Sequence, residues 1–164
     1  MEEVVLILGS NLNNKVKAIE EALQMLNASF KVLKISSKYK SRAWGYESEN
    51  DFINVAVSIE CSISPYDLLN KIIKIENRLG RVRDNKVRYS DRKIDIDIIL
   101  FGDQLIKTPD LIIPHPRFHL RTFCLKPMKE IIPNKVVPGF KKTVSEIYAE
   151  SKDNESVDCI YDEV

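Results

Sequence analysis

Apolar and polar positions along the chain form short strand-like runs broken by two helical stripes. Val4 to Leu8 is an unbroken apolar run of strand length, closed by Gly9-Ser10-Asn11. From about Asn13 to Asn27, Val16, Ile19, Leu23 and Leu26 recur three or four residues apart, which is the stripe of a helix. Lys31 to Tyr39 is β-branched and alternates in places, so it reads as a second strand. The polar, turn-rich stretch Ser41–Asn50 reads as a loop. Phe52 to Glu60 alternates, with Ile53, Val55, Val57 and Ile59 on one face and Phe52, Asn54, Ala56 and Ser58 on the other. Ser64-Pro65-Tyr66-Asp67 supplies an N-cap, a proline at the first helical position and an acid at the third. Leu68, Leu69, Ile72, Ile75 and Leu79 carry that helix to Gly80. Lys93 to Phe101 alternates again, with Ile94, Ile96, Ile98 and Leu100 on one face and Asp95 and Asp97 on the other.

The order β-α-β-β-α-β predicts an α+β, ferredoxin-like fold: an antiparallel sheet with its helices on one face. Beyond it, Ile112 to Leu120 reads as a loop bearing Pro and His, and Leu125–Ile131 and Thr143–Glu150 as short helices. Residues 1–150 are expected to form one domain and residues 151–164 an acidic, flexible tail. From Glu146 onward there are seven Asp/Glu and one Lys.

Composition narrows the picture. A length of 164 residues suits one domain with a sizeable core, and 44% hydrophobic with 30% charged residues is ordinary for a globular protein. Net charge is only +1, so a basic stretch here is local rather than the footprint of a general nucleic-acid binder. Cys61, Cys124 and Cys159 are odd in number and lack a C-x-x-C pattern, which suits a reducing compartment. Neither a signal sequence nor an apolar run of membrane-spanning length is legible, so the cytoplasm is the expected location.

Asp95 and Asp97 are the strongest candidate for chemistry. Two like charges stacked on one strand face repel and resist burial, so a strand meant only for folding gains nothing from them. Together they can hold hard cations such as Mg²⁺ bridged to phosphate; the bland alternative is a solvent face of an antiparallel strand. From Arg78 to Lys93 there are seven Lys/Arg against Asp84 and Asp91. Guanidinium groups grip phosphate oxygens bidentately, so Arg81, Arg83, Arg88 and Arg92 beside the aspartates suggest a polyphosphate site; singly, each suits a salt-bridged surface. Phe52 beside Asn54 can read a flat heterocycle by stacking and hydrogen bonds, or simply pack beneath a second layer. Trp44 either packs its loop down or caps a pocket. His115 and His119 stand four apart, yet Pro114 and Pro116 flank His115 and no further ligands stand at zinc spacing. A histidine touching a phosphate or base from a loop fits better than zinc. Neither a P-loop nor a Rossmann glycine motif is present.

Gly9-Ser-Asn-Leu12, Phe52-Ile-Asn54, Gly80-Arg-Val-Arg83, Arg92-Lys-Ile-Asp-Ile-Asp-Ile-Ile-Leu100 and Ile113-Pro-His-Pro116 followed by Arg121-Thr-Phe123 occur in that order. Together they resemble the 6-hydroxymethyl-7,8-dihydropterin pyrophosphokinase family from about Val4 to Pro138. The resemblance implies transfer of the β,γ-diphosphate of ATP to the pterin 6-hydroxymethyl oxygen, releasing AMP, as a step of folate biosynthesis. It implies two Mg²⁺ ions on Asp95 and Asp97, with Arg81 and Arg92 closing over the phosphates. Further ATP contacts would come from Glu76, Arg83, Ile98, His115 and Arg121. The pterin would lie among Ser41, Arg42, Trp44, Phe52, Asn54, Tyr89, Asp95 and Phe123. A monomer acting on small molecules, with neither nucleic acid nor membrane as partner, is the expectation. The chain departs from the family pattern at Tyr89-Ser90-Asp91, where Trp-Gly-Pro is usual, at Ser41-Arg42-Ala43-Trp44, where Thr-Pro-Pro-Leu is common, and at Asp110 and Pro116. One extra residue between Arg83 and Tyr89 leaves Arg88 without a role. The rival readings are an RNA-recognition module, which shares the βαββαβ plan, and a relative that binds ATP and metal without turnover.

Overall fold

The structure is a computed structural model, and it describes every residue except 13, 45–47, 49, 81–92 and 161–164. In chain order the elements are β1 (Glu2–Ser10), α1 (Lys15–Ser29), β2 (Lys31–Ile35), β3 (Lys38–Ser41), β4 (Phe52–Cys61), α2 (Pro65–Arg78) and β5 (Asp95–Phe101). After them come a small hairpin of β6 (Ile106–Lys107) and β7 (Ile112–Ile113), a 3₁₀ turn at Phe118–Leu120, and α3 (Thr122–Ile131). A second hairpin, β8 (Val136–Val137) and β9 (Lys142–Thr143), leads to α4 (Val144–Glu150) and β10 (Val157–Ile160).

The main sheet runs β10-β3-β4-β1-β5, with β2 pairing β4 beyond β3, and every pairing in it is antiparallel. The expected ferredoxin-like plan is therefore present. The single strand expected over Lys31–Tyr39 divides in two, because Ser36 interrupts the ladder. Its hydroxyl accepts the Ala56 N–H at 2.9 Å while its own N–H donates to the Ala56 carbonyl at 2.9 Å.

Helices cover both sheet faces, not one. Beneath α1 and α2 lie Leu6, Leu8, Ile53, Val55, Val57, Ile59, Ile94, Ile96 and Ile98. On the opposite face Val5, Ile7, Ala56, Ile99 and Leu100 pack with Leu125, Met128, Val144 and Ile147 of α3 and α4. This double cover explains why β1 is buried without interruption from Val4 to Ser10. Leu100 is thus on the opposite face from Ile96 and Ile98, contrary to the alternation. The register between β1 and β5 slips between Val5 and Leu6, so Ile99 is an extra residue in β5, and a bulge reverses the faces beyond it.

The α1 stripe is also rotated. Ala18, Ile19, Ala22 and Leu26 are buried instead of Val16 and Leu23, since small alanines let the helix approach the sheet closely. Helix α2 starts as its sequence predicts, with Ser64 Oγ accepting the Asp67 N–H at 3.1 Å and Pro65 in the first turn. It ends at Gly80, whose φ of +90° is the left-handed conformation glycine adopts without cost.

The segment expected to be a flexible tail is structural from Ser151 to Ile160. Strand β10 pairs with β3, Val157 is buried, and Asp153 caps α3 by accepting the Thr122 N–H at 2.8 Å. Alternating apolar positions at Val157 and Cys159 fill a sheet edge that the acidic composition conceals. Among the described residues no helix is long and apolar enough to cross a membrane.

Candidate active site

Helix α3 and the turn before it cover only part of the second sheet face. The uncovered end, beside the N-terminus of α3, is a cleft of about 480 Å³ of empty space that opens to solvent. Ile7, Gly9, Ser41, Arg42, Trp44, Phe52, Asn54, Asp95, Asp97, Arg121 and Phe123 line it. Pairing registers explain the convergence. Asn54 on β4 faces Gly9 on β1, and Gly9 faces Asp95 on β5, so the three form one row across the sheet. Ala56, Ile7 and Asp97 form the next row. In-register antiparallel neighbours share a face, so the amide and both carboxylates project the same way, Asn54 and Asp95 two strand spacings (about 9–10 Å) apart.

Gly9 is the floor between them. A side chain there would bring its Cβ to 3.1 Å from Asn54 Oδ1 and 3.5 Å from the Phe52 ring, filling the gap between amide and carboxylates. Ile7 and Gly9 are lining residues that the residue patterns do not single out as a site. Gly9 could be read from its place in Gly9-Ser10-Asn11 only once β1 was known to run beneath the cleft.

One end of the cleft can take a flat, neutral, hydrogen-bonding group. Asn54 is 2% exposed and donates through Nδ2 to the Ser41 hydroxyl at 2.7 Å, which orients its carboxamide. Ser41 is held in turn from both sides, by Phe52 on β4 and Val157 on β10. Phe52 and Phe123 present aromatic surface on different elements, β4 and the first turn of α3. Helix α3 begins three residues before the expected Leu125, which puts Phe123 at the cleft. No local cap marks that start because Asp153, far along the chain, provides it.

The guanidinium of Arg121 lies over the Trp44 ring at 4.4 Å and the Phe123 ring at 5.5 Å from their centroids. It is 7% exposed, and its Nε has no acceptor among the described residues. Cation–π contacts hold the charge in place while leaving a donor unmet, and an anionic ligand would satisfy it. Trp44 therefore touches the arginine as well as lining the cleft.

His115 lies beside β5, its backbone N–H donating to the Ile99 carbonyl at 3.0 Å. Burial, reinforced by the Arg121 charge and opposed by Asp95, lowers its pKa from 6.5 to about 4. Its Nδ1 accepts the Arg117 backbone N–H at 3.1 Å, so the neutral ring carries its proton on Nε2. His119 is elsewhere, edge-on to Phe118 and Phe140. Cys124, fully buried near Arg121, has its thiol pKa pushed up by burial and is held neutral.

Two expected nucleotide contacts turn away from the cleft. Ile98 is 6% exposed within the apolar layer under α1 and α2, because it stands on the face of β5 opposite the aspartates. Glu76 is 0% exposed, and its Oε2 accepts the backbone N–H of Ile96 at 2.9 Å. Arg81, Arg83, Arg88, Tyr89 and Arg92 lie outside the described residues. Among the described residues no three His, Cys, Asp or Glu side chains gather into a metal cage. Two partly exposed carboxylates on one strand face can supply part of the oxygen shell of a hard cation whose remaining ligands are phosphate and water. Much of the sheet face on which an RNA-recognition module would stack bases is covered here by α3 and α4.

Comparison with known proteins agrees with this geometry. Residues 5–133 match the model of the family described as 7,8-dihydro-6-hydroxymethylpterin-pyrophosphokinase. A 2-amino-4-hydroxy-6-hydroxymethyldihydropteridine pyrophosphokinase of Aquifex aeolicus is 37% identical over 92% of this chain and 93% of its own length. The Bacillus subtilis protein of that name is 42% identical over 76% of this chain and 74% of its own. Among solved structures, a wild-type Plasmodium falciparum HPPK-DHPS chain superposes with a TM-score of 0.73 at 17% identity, covering 91% of this chain. This chain spans only 44% of that longer one, and the likeness there is one of fold.

Proposed function

The chain belongs to the 7,8-dihydro-6-hydroxymethylpterin-pyrophosphokinase family, and from that premise we propose that it pyrophosphorylates the hydroxymethyl group of a dihydropterin, using ATP, in folate biosynthesis. The hydroxymethyl oxygen bonds to Pβ of ATP, the bond from Pβ to its α-bridging oxygen breaks, and AMP departs with that oxygen. The hydroxyl proton passes to solvent, and we nominate no residue as its base. The observation that carries this reading is the Asn54–Gly9–Asp95 row: an amide that can read a heterocycle and a carboxylate that can hold a cation face one cleft across a glycine floor.

Asn54 reads the edge of the pterin, with Ser41 fixing the carboxamide and Phe52 and Phe123 bounding the ring faces. Arg42 and Trp44 wall the loop side, and Tyr89 is assigned there by resemblance. Asp95 and Asp97 would hold two Mg²⁺ ions, which supply charge neutralisation and polarise the transferred phosphoryl group. Arg121 offers its unmet Nε–H to a phosphate oxygen, and neutral His115 offers Nε2–H. Arg81 and Arg92 steady the charge that develops on the phosphates, and Arg83 adds a further contact. A cytoplasmic monomer completes the reading.

The test is AMP release by the purified chain with ATP, Mg²⁺ and 6-hydroxymethyl-7,8-dihydropterin. AMP is expected only when all three are present. ADP as the nucleotide product, or AMP formation indifferent to the pterin, would sink the proposal.

A further inference from the structure

Glu76 is buried completely on a helix face otherwise formed by Leu68, Ile72 and Ile75. Burying a carboxylate is costly unless it meets a strong donor. One such donor is the N–H of Ile96, at 2.9 Å, and Ile96 is the residue between Asp95 and Asp97. Among the described residues strand β5 ends the sheet, with β1 as its partner. On its outer side a backbone donor buried under a helix needs an acceptor. A carboxylate accepts more strongly than a neutral amide or carbonyl does. The bond thus joins α2 to the residue that stands between the two aspartates on β5. Helix α2 is itself firmly seated, with a Ser64 cap at its start and a left-handed Gly80 just past its end.

We propose that Glu76 is a positioning residue: through the Ile96 N–H it clamps the Asp95–Ile96–Asp97 backbone so that both carboxylates keep the spacing a divalent cation and a polyphosphate require. The role differs from nucleotide contact, since the carboxylate faces the strand's backbone on the side of the sheet away from the cleft. It also ties that spacing to the helix from which the chain runs on into Arg81 and its neighbours. The inference rests on the reading of Asp95 and Asp97 as metal ligands.

The test uses the full chain with Mn²⁺ in place of Mg²⁺ and a non-hydrolysable ATP analogue, with Mn²⁺ retention read by electron paramagnetic resonance. Hydrogen exchange across β5 and AMP affinity without metal are measured alongside. Glu76→Leu is expected to speed exchange at Ile96 and to weaken Mn²⁺ retention about tenfold, the scale of losing a group that holds a metal ligand in place. Metal-free AMP affinity should not change. Glu76→Gln should preserve all three readouts, since an amide oxygen accepts the same N–H.

Faster exchange with unaltered Mn²⁺ retention would reduce Glu76 to a structural residue and overturn the proposal. So would a fall in AMP affinity matching the fall in Mn²⁺ retention, which marks direct nucleotide contact. If Glu76→Leu does not fold, Glu76→Gln decides: a folded variant that loses Mn²⁺ shows that charge rather than the hydrogen bond matters, and the proposal fails. Absence of Mn²⁺ binding by the unaltered chain, with Ile96 still protected, would instead overturn the metal reading beneath it.

Discussion

At the Ser41–Asn54–Phe123 end of the cleft, polar groups are buried and bonded to one another; at the Asp95–Asp97 end, carboxylates stand partly exposed on the sheet's edge strand. The first end is preorganised. Asn54 already points where Ser41 aims it, and Ser41 is pinned between two strands. The second end carries two like charges on one strand face, and in our reading metal and phosphate bind there. A neutral heterocycle is recognised by shape and a few fixed hydrogen bonds, so rigidity suits it. A polyphosphate is recognised by charge, which acts over several ångströms and tolerates looser construction.

The sharpest way to break this contrast is to remove one carboxylate. Asp97→Ala should lower AMP release by about 10³-fold or more, the scale of losing a main electrostatic stabiliser, while pterin affinity measured by calorimetry holds. Near-normal turnover would end the metal assignment. Arg92→Ala should come next, slowing the single-turnover rate more than it weakens ATP. Loss of affinity with the chemical rate intact would remove its transition-state role.

Asn54→Ala attacks the rigid end. It leaves Ser41 without its partner and should cost about 1–3 kcal/mol of pterin binding, roughly five- to 150-fold in affinity. ATP affinity should stay where it was; an equal loss for both substrates would erase the division between the two ends. Smaller still is Asp153→Ala, which removes the cap from the helix that carries Phe123. It should cost about 1 kcal/mol, or about 2–4 °C in Tm, with a modest rise in pterin KM.

His115 gives the mildest signature. Its folded pKa of about 4 lies below the ordinary 6.5, so the unfolded chain binds more protons between those values. Stability should therefore rise with pH across that window and fall as acid is added. His115→Asn should flatten that slope in pH-dependent denaturation, and an unchanged slope would remove the assignment.

The βαββαβ core and the aspartate pair were legible because alternation and helical spacing are local signals. Asp95 and Asp97 alternate with isoleucines, and Ser64-Pro65 announces its own helix. What escaped was set at a distance. Leu100 changed faces because β1 slips against β5, and α3 began early because Asp153 caps it from 31 residues away. Glu76 looked like a nucleotide contact by resemblance, and only packing shows that its carboxylate meets a strand. The acidic composition after Glu146 hid a strand because Val157 and Cys159 are too few to outweigh their neighbours. Arg81, Arg83 and Arg92 were read from residue type and order and lie outside the described residues.

Strand β10 also bears on when the protein becomes competent. Asp153 and residues 157–160 support Ser41 and the Phe123 helix, yet ribosomes make them after everything else in the described fold. A nascent chain can close β1, β4 and β5 while the cleft still lacks one wall's backing. For the same reason, any second domain joined downstream must start after Ile160, because a cut at Glu150 would remove part of the first one.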